Sequence, residues 1–536
     1  MKKFHLLLLC LLSALLLFFA WPVFGFSFLV FIGFVPLFFV EENISSTSKK
    51  MGGIKILGYS YLTFLIWNLL TTWWIYNASG GGAAMAILAN SLLMAVVFTA
   101  FHSIKKRTKT GYFSLICFWL AFEYLHLNWD LSWPWLTLGN VFSINYRWVQ
   151  WYEFTGALGG SLWVLLVNVL AFQFAKSLLN NSESKLRVKS GLSWLGLILL
   201  PILVSYGMYA MRNPLHKGGG KKVTIVQPNI DPYNEKFSGM SDEEQLMKLL
   251  HLAEAKMDKS TAYLIAPETA LPTTIWENKI MEAPVILELK KFLDKYPNLK
   301  IVIGANTAKA YLNGEQPSAT ARKFINDETY FDSYNTALQL DSSAAIQVYH
   351  KSKLVPGVEK IPFPALFKPF EKFAIDLGGT TGSLGVQDTR TVFFSTDKKC
   401  SIAPVICYES IYGEFVGEYV RNGAQLIFII TNDGWWGDTP GYKQHLSYAS
   451  LRAIETRREI ARSANTGTSA VVNARGDVSL QTEYWKEAVV AATVFPSSEI
   501  TFYVKYGDYL GWLAALLSAL ILIFTLYLKI TKTEKV

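Results

Sequence analysis

Three short segments place a side chain able to do acid, base or nucleophilic chemistry directly after a run of apolar residues. Glu268 follows the run in "TAYLIAPET", Lys351 follows "AIQVYH", and Cys407 follows "SIAPVI". A cysteine attacks as its thiolate, so it needs a nearby proton acceptor, and the oxyanion that forms needs a fixed cation or other donors. Each residue alone is commonly a turn or core residue. Together they supply the set that thiol-dependent acyl transfer requires.

The elements that must position these residues are short strands alternating with helical patterns between residues 221 and 500. β-rich runs such as "KVTIVQPN" and "QLIFIITND" alternate with helical patterns at 242–257 and 442–465. This alternation predicts an α/β layered domain with well-buried sheets. Catalytic groups of such domains commonly lie just beyond strand ends, which is where Glu268, Lys351 and Cys407 stand.

The rest of the chain is too apolar for a soluble protein. Of its 536 residues 51% are hydrophobic and 15% are aromatic. Apolar runs long enough to cross a bilayer occur at 5–20, 23–40, 57–76, 83–101, 112–127, 159–178, 192–211 and 508–528. We therefore predict a transmembrane domain of seven helices at 1–211, a soluble domain at 221–500, and an eighth transmembrane helix with a tail at 505–536. The first run could serve as a signal peptide, but a second apolar run follows at once, which favours an uncleaved span.

The charged residues of the apolar regions indicate how the chain is oriented. The short segments 45–55, 103–111 and 184–190 and the C-terminal tail are basic, whereas 77–82 carries no charge. The positive-inside rule then places both termini in the cytoplasm and the soluble domain on the outer side. Glu123 lies inside the fifth apolar run, where a carboxylate is costly, so we expect it to face a cavity or a partner.

The four cysteines and seven histidines exclude several other kinds of site. Cys10 and Cys117 lie in predicted spans and are expected to be apolar filler. On one extended strand Cys400 and Cys407 would lie about 23 Å apart, beyond disulfide reach, so Cys407 is predicted to be a free thiol. The histidines show no ligand spacing, and no phosphate-binding glycine loop is present. We expect no metal, no other cofactor and no nucleic-acid partner.

Four motifs resemble a known superfamily. The segments "APETALP", "YHKSKLVPGVEKIPF", "ICYESIYGEF" and "TNDGWWG" are similar to the Glu-Lys-Cys motifs of the nitrilase superfamily. With "SWPWLTLGN" and "EFTGALGGSLWVLLVN", nearly the whole chain resembles the apolipoprotein N-acyltransferases, which complete bacterial lipoprotein maturation. The resemblance implies about eight spans with an inserted α-β-β-α sandwich domain. It also implies a bacterial inner-membrane protein with a periplasmic catalytic domain, a phospholipid acyl donor, a diacylglyceryl apolipoprotein acceptor and a monomer.

The resemblance also assigns roles to individual residues. It implies Cys407 as nucleophile, Glu268 as general base and Lys351 as the oxyanion-stabilising cation. Glu359, Glu409 and Tyr408 would support the active site, the carboxylates by pairing and Tyr408 through its backbone amide. A departure from the family is Lys353, which stands where relatives commonly have histidine. Candidate residues of a substrate pocket or lid are Phe237, Phe363, Phe367, Trp435 and Trp436.

Alternatives remain open at this point. A membrane-tethered amidase or nitrilase would use the same residues but hand the acyl group to water. A transporter or binding protein would leave the three reactive residues idle. His445 invites a Cys-His arrangement, although the start of a long helix suits a polar surface role. Asn432 and Asp433 are expected to cap or brace the floor of the site.

Overall fold

A computed structural model describes residues 2–47, 51–108, 110–212, 219–312, 314–324, 329–360 and 383–533. The chain divides into two compact units. One comprises Met1–Tyr76, Gly80–Asn213 and Tyr506–Val536, and the other comprises Asn77–Ser79 and Pro214–Lys505. The first unit is helical and the second is an α/β domain, so the predicted combination of a membrane helical bundle and an α/β sandwich domain is confirmed.

Helices make up most of the first unit and alternate with strands in the second. In chain order they are α1 (Lys3–Ala20), α2 (Val35–Thr47), α3 (Gly52–Thr72), α4 (Ile75–Ala78), α5 (Gly80–Lys105), α6 (Tyr112–Leu127), α7 (Tyr152–Leu179), α8 (Ser184–Met211), α9 (Asp242–Glu254), α10 (Pro284–Lys295), α11 (Gly413–Arg421), α12 (Pro440–Thr456), α13 (Phe502–Tyr506) and α14 (Tyr509–Thr533). A 3₁₀ helix at Ser27–Ile32 precedes α2.

Seven helical segments are long and apolar enough to cross a membrane. They are Lys3–Ala20, Ser27–Thr47, Gly52–Thr72, Gly80–Lys105, Tyr152–Leu179, Ser184–Met211 and Tyr509–Thr531. The fifth predicted span, α6, has 16 residues. At 1.5 Å per residue it is about 24 Å long, somewhat less than the roughly 30 Å of a bilayer core. About eight apolar helices thus make this chain a multi-pass membrane protein.

Glu123 has its partners within the helical unit. Its Oε1 accepts hydrogen bonds from the backbone N–H of Leu138 at 2.8 Å and from Trp119 Nε1 at 3.0 Å. The carboxyl therefore ties α6 to the segment that follows it, and the expectation of a partner is confirmed. On the same helix, Tyr124 packs so closely against Gly511 of α14 that a Cβ at Gly511 would lie 2.6 Å from the tyrosine ring.

The α/β unit contains two sheets. Their strands are β1 (Lys221–Gln227), β2 (Tyr263–Ile265), β3 (Leu271–Trp276), β4 (Lys300–Ala310), β5 (Arg322–Lys323), β6 (Tyr330–Leu340), β7 (Ile346–His350), β8 (Phe393–Phe394), β9 (Ser401–Ile406), β10 (Leu426–Thr431), β11 (Ile460–Ala464), β12 (Ala470–Val472), β13 (Val478–Ser479) and β14 (Ala488–Val494). The first sheet has the order β14-β1-β2-β4-β6-β5, with β3 paired to β4 and β7 to β6. The second has the order β13-β12-β11-β10-β9-β8.

The sheets and helices form four layers. Apolar residues of α9 and α10, such as Leu249 and Leu289, pack on the first sheet. The two sheets meet at ring contacts such as that of Tyr263 with Phe428, whose centroids are 5.1 Å apart. Helices α11 and α12 lie against the second sheet. Because helices or a second sheet cover both faces, β9 and β10 are buried at every position, which explains their continuous apolar sequence.

One predicted helix is only partly correct. The helical pattern was expected to extend over 442–465, whereas α12 ends at Thr456 and β11 follows from Ile460. Arg457 has φ 49°, a left-handed conformation that ends the helix. The residues beyond it pair in parallel with β10, so sheet formation overrides the helical pattern there.

Candidate active site

Cys407 occupies a sharp turn between a buried strand and a short 3₁₀ helix. Strand β9 ends at Ile406, and Cys407 has φ 49°, an uncommon conformation for a residue with a side chain. The turn is held by Ser410 Oγ, which donates to the Cys407 carbonyl oxygen at 2.7 Å. Cys400 and Cys407 are both free, so the predicted free thiol is confirmed. The turn presents the Cys407 side chain at the carboxyl end of the parallel strands β9 and β10.

Four side chains form a hydrogen-bonded group, here called the Lys351 cluster, composed of Glu268, Asn335, Lys351 and Glu359. Lys351 Nζ donates to Glu268 Oε1 at 2.9 Å and to Glu359 Oε1 at 2.7 Å. Asn335 Nδ2 donates to the same two oxygens at 2.8 Å and 3.1 Å. One ammonium and one amide therefore bridge two carboxylates, with Lys351 only 1% exposed.

Backbone contacts fix the position of Glu268. Its Oε2 accepts a hydrogen bond from the backbone N–H of Asn432 at 3.1 Å, which links the end of β2 to the end of β10. Gly304 of β4 lies directly behind it, and a Cβ there would be 2.6 Å from the Glu268 Cα. Buried Lys236 donates to the Glu268 carbonyl oxygen at 3.1 Å and to Thr269 Oγ1 at 2.5 Å. The carboxylate is thus held from both sheets.

The charges of the cluster determine its protonation. Burial opposes ionisation of Glu268, but the Lys351 ammonium and the hydrogen bonds from Lys351 and Asn335 outweigh it and lower the pKa of Glu268. Burial also disfavours the Lys351 ammonium, but Glu268 and Glu359 raise the pKa of Lys351 well above its ordinary value. For Cys407, burial and the Glu268 charge raise the thiol pKa despite Lys351. The resting site therefore holds a carboxylate, an ammonium and a neutral thiol.

Glu409 connects the cysteine turn to the loop that carries Lys351. Its Oε2 accepts from the backbone N–H of Ile406 at 2.9 Å. Its Oε1 accepts from Tyr349 Oη and from the backbone N–H of Ser352, both at 2.7 Å. This fully buried carboxyl fixes the spacing between Cys407 and Lys351. Glu359 also binds its own loop, where its Oε2 accepts from the backbone N–H of Val355 at 2.8 Å.

A second buried group, here called the His445 cluster, consists of Asp433, His445 and Arg462. Asp433 Oδ1 lies 2.9 Å from His445 Nδ1, and Asp433 Oδ2 pairs with Arg462. His445 Nε2 lies 2.9 Å from Ser410 Oγ and 3.2 Å from the Cys407 carbonyl oxygen. The expected surface role of His445 is wrong, because its helix packs under the turn and leaves the imidazole 1% exposed. It reaches the backbone of the nucleophile's turn.

The predicted pocket residues divide into described and undescribed ones. Phe237 is half-exposed, and its ring stacks on Trp435 with centroids 6.4 Å apart. Trp436 lies edge-on to His445 with centroids 5.5 Å apart. Tyr408 is buried beside Tyr412. Phe363 and Phe367 lie outside the described residues.

Several residues of the site were missed by the sequence analysis, among them Asn335 and Thr431. Asn335 lies in the middle of β6, and Thr431 ends β10. Thr431 is a buried polar residue at the end of an otherwise apolar strand, which is the signal that could have identified it. Strand β6 contains several polar residues, so Asn335 carries no such signal. Asp433 and Asn432 do brace the floor of the site, through the His445 cluster and the hydrogen bond to Glu268 respectively.

This arrangement is able to carry out covalent acyl chemistry. It combines a thiol on a sharp turn, a carboxylate base and a fixed ammonium. Within the described ranges, no three His, Cys, Asp or Glu side chains are grouped as a metal ion would require.

Comparisons with known proteins agree with this chemistry. The apolipoprotein N-acyltransferase N-terminal domain matches residues 13–170, and the carbon-nitrogen hydrolase domain matches residues 222–501. An apolipoprotein N-acyltransferase of Chlorobaculum tepidum is 31% identical over 513 residues, covering 93% of this chain and 92% of that protein. One of Geobacter metallireducens is 26% identical, covering 94% and 92%.

A solved structure is also similar to part of the chain. It is a carbon-nitrogen hydrolase superfamily protein of Xanthomonas campestris, 15% identical, covering 52% of this chain and 91% of its own, with a TM-score of 0.36. The full-length relatives and the two matching domains carry the assignment: the chain belongs to the apolipoprotein N-acyltransferase family and is an acyltransferase with a carbon-nitrogen hydrolase domain.

Proposed function

We propose that this enzyme transfers a fatty acyl chain from a membrane phospholipid to the α-amine of the diacylglyceryl-cysteine at the N-terminus of apolipoproteins. The acyl chain passes through a thioester on Cys407 in a ping-pong reaction. The observation that carries the proposal is the hydrogen bond from the Lys351 ammonium to the buried Glu268 carboxylate, whose charge also acts on the Cys407 thiol. The names of the full-length relatives supply the substrate class.

In the first half-reaction, Cys407 attacks the ester carbonyl of the phospholipid. Glu268 accepts the thiol proton as the sulfur–carbon bond forms. Because the thiol pKa is raised and the Glu268 pKa is lowered, a free thiolate is scarce, and proton transfer accompanies attack. The Lys351 ammonium meets the oxyanion. When the carbon–oxygen bond breaks, Glu268 returns the proton to the departing lysophospholipid.

In the second half-reaction, the neutral α-amine of the acceptor attacks the thioester carbonyl. Glu268 accepts a proton from the attacking nitrogen, and Lys351 again stabilises the oxyanion. Collapse of the intermediate breaks the sulfur–carbon bond and forms the amide. The proton on Glu268 then restores the thiol. One carboxylate thus serves as base and acid in each half.

Location and domain roles are part of the same proposal. We assign membrane anchoring to residues 1–211 and 505–536 and catalysis to residues 221–500. The basic short loops support cytoplasmic termini, and therefore a catalytic domain on the periplasmic side of the bacterial inner membrane. A monomer would suffice, because Glu268, Lys351 and Cys407 all come from one chain. Phe237, Trp435 and Trp436 would line the acyl pocket.

Intact-protein mass spectrometry tests the proposal. Purified enzyme incubated with phospholipid in detergent should gain one acyl mass on the peptide containing Cys407, and a diacylglyceryl peptide should remove it. Cys407→Ala should gain no acyl mass and make no N-acyl product, whereas the matched control Cys400→Ala should behave as wild type. N-acylation by Cys407→Ala would refute the thioester route.

The same experiment separates a transferase from a tethered amidase, which the full-length relatives do not favour. A transferase keeps its acyl adduct in water until a lipopeptide amine arrives. A hydrolase would release free fatty acid at the same rate with or without the lipopeptide, and that outcome would exclude the proposed acceptor.

A further inference from the structure

The last residue of β10, Thr431, lies beside the turn that carries Cys407. In the parallel pairing of β9 with β10, Ile406 stands opposite Ile430, so Thr431 is the next position along, next to Cys407. The Thr431 hydroxyl lowers the pKa of the Cys407 thiol, as a hydrogen bond to sulfur does, although burial raises that pKa overall. Thr431 is fully buried, so bulk water does not compete for this hydroxyl.

The hydroxyl of Thr431 has two possible acceptors but one hydrogen. In the resting site it donates to Asp433 Oδ1 at 2.8 Å. With its hydrogen directed at Asp433, the hydroxyl can interact with the Cys407 thiol only as an acceptor of the S–H group. Once the sulfur has lost its proton, the hydroxyl can stabilise the thiolate only by donating a hydrogen bond to it. That requires the hydroxyl hydrogen to turn away from Asp433.

Asp433 tolerates the loss of this hydrogen bond. Its Oδ1 also lies 2.9 Å from His445 Nδ1, and its Oδ2 pairs with Arg462. The carboxylate therefore remains hydrogen-bonded when the hydroxyl rotates, and rotation does not leave an unpaired buried charge.

We propose that Thr431 is a catalytic residue that moves its single hydroxyl hydrogen bond from Asp433 to the Cys407 sulfur as that sulfur becomes negative. This rests on the proposed role of Cys407 as nucleophile. The S–H bond breaks and its proton goes to Glu268, while the threonine O–H bond stays intact and only changes its acceptor. When the thioester forms, the sulfur loses its charge and the hydroxyl returns to Asp433.

Other charged groups also act on the thiol. Glu268, from the first sheet, and Asp433, after β10, disfavour the thiolate, whereas Lys351, after β7, favours it. On the turn itself, Glu409 is engaged with backbone groups and Tyr349. The Thr431 hydroxyl is able to donate to sulfur, whereas the Asp433 carboxylate, two residues along, only accepts.

Alkylation of Cys407 by iodoacetamide measures the thiolate without any lipid substrate. A hydrogen bond to a charged group corresponds to about one to two pKa units. Because a more basic thiolate is also more nucleophilic, with a Brønsted slope of about 0.4–0.5, the alkylation rate should fall by only about 3- to 16-fold. The full chain carrying Cys400→Ala, in detergent, serves as the reference protein.

Thr431→Val removes the hydroxyl and keeps the shape, so its alkylation should be slower than the reference by this factor at pH 6, 7 and 8 alike. Thr431→Ser keeps the hydroxyl and should react within about twofold of the reference. Thr431→Ala replaces the valine variant if that protein does not accumulate. Equal rates for the reference and the hydroxyl-free variant, or an equal loss with serine, would overturn the proposal.

The assay also separates this inference from the proposed function. Alkylation reports the thiol whether or not the enzyme transfers acyl chains. A slow Thr431→Val thiol together with an active Cys407→Ala enzyme would reject the thioester route but keep the hydrogen bond. The reverse pattern would reject only the role of Thr431.

Discussion

Two buried charged clusters flank Cys407, and they differ in how their charges are matched. In the Lys351 cluster one ammonium is shared by two carboxylates, Glu268 and Glu359. In the His445 cluster one carboxylate, Asp433, faces one guanidinium and an imidazole. Burial and Arg462 lower the pKa of His445 despite Asp433, so that imidazole is neutral and the cluster carries no net charge.

This difference in charge balance indicates which cluster takes part in proton transfer and which one supports the structure. A cluster with an excess of carboxylate can accept a proton without leaving its cation unpaired, because Lys351 keeps Glu359 when Glu268 becomes neutral. Protonating Asp433 instead would leave Arg462 without its acid in a fully buried place. The Lys351 cluster is therefore suited to proton transfer, and the His445 cluster is suited to holding the turn of Cys407.

We expect the largest effect from a substitution that removes the base of the Lys351 cluster. Glu268→Gln keeps the size of the side chain but cannot take a proton, so acyl-enzyme formation should slow by about 100- to 10,000-fold. The fold should survive, because Lys351 still pairs with Glu359. Single-turnover acylation followed by mass spectrometry measures the rate. Exposed Glu282→Gln is the matched control and should acylate at the wild-type rate. A similar rate in both variants would contradict the assignment of Glu268 as the base.

Removing the cation should cost nearly as much in rate and more in stability. Lys351→Met leaves two buried carboxylates facing each other, so we expect a loss of about 3–5 kcal/mol in the free energy of unfolding. The oxyanion also loses a donor, which slows acylation by about 100- to 1,000-fold. Lys353→Met, two residues along, is the control. Its ammonium lies over the Tyr412 ring at 4.9 Å, and both losses should be small. Wild-type acylation by a folded Lys351→Met protein would exclude the oxyanion role.

The contrast between the clusters was only partly predictable from the sequence. Glu268, Lys351 and Cys407 stand at strand ends, and a polar residue after an apolar run is visible locally. Asn335 is different, because its role comes from the antiparallel pairing of β6 with β7, which sets Thr336 opposite His350 and brings Asn335 to Lys351. No local pattern encodes that pairing.

The same reasoning explains the misplaced histidine. The sequence around His445 has the composition of an exposed helix start, with Lys443 and Gln444 beside it. Its burial follows from the packing of α12 beneath the turn of Cys407, which is a contact between elements distant in sequence. The helical pattern also made the predicted helix longer than α12. The residues after α12 pair with β10 as strand β11 instead.

Because Asp433 is paired with Arg462 and His445, we expect the free energy of unfolding to fall in acid. Burial opposes ionisation of Asp433, but Arg462 and His445 outweigh it and lower its pKa from 3.8 to about 2. A depressed carboxyl pKa stabilises the fold above the unfolded pKa, and that contribution is lost as pH falls from about 4 through about 2. It amounts to about 2 kcal/mol.

Melting curves in detergent between pH 6 and pH 2.5 test this sign. Wild type should lose most of this increment by pH 2.5, because the folded pKa of Asp433 is about 2. Asp433→Asn should be less stable at pH 6, because Arg462 loses its acid, and should lack this part of the acid dependence. Exposed Asp438→Asn is the control and should follow wild type. If Asp433→Asn showed the same acid dependence as wild type, Asp433 would not be the group responsible for it.

The smallest expected effect on rate concerns His445, and it decides between the two clusters. If the imidazole only supports the turn, His445→Gln should retain a polar group near Ser410 and acylate within about tenfold of wild type, since one neutral hydrogen bond contributes about 1 kcal/mol. His445→Leu should destabilise the protein by about 1–3 kcal/mol, because Asp433 loses a partner, while its acylation rate stays well above that of Glu268→Gln. A general base would give the opposite order, with both His445 variants as slow as Glu268→Gln and neither much less stable. Single-turnover acylation and melting temperature, measured on the same preparations, therefore distinguish a residue that accepts the proton from one that holds the backbone of the nucleophile.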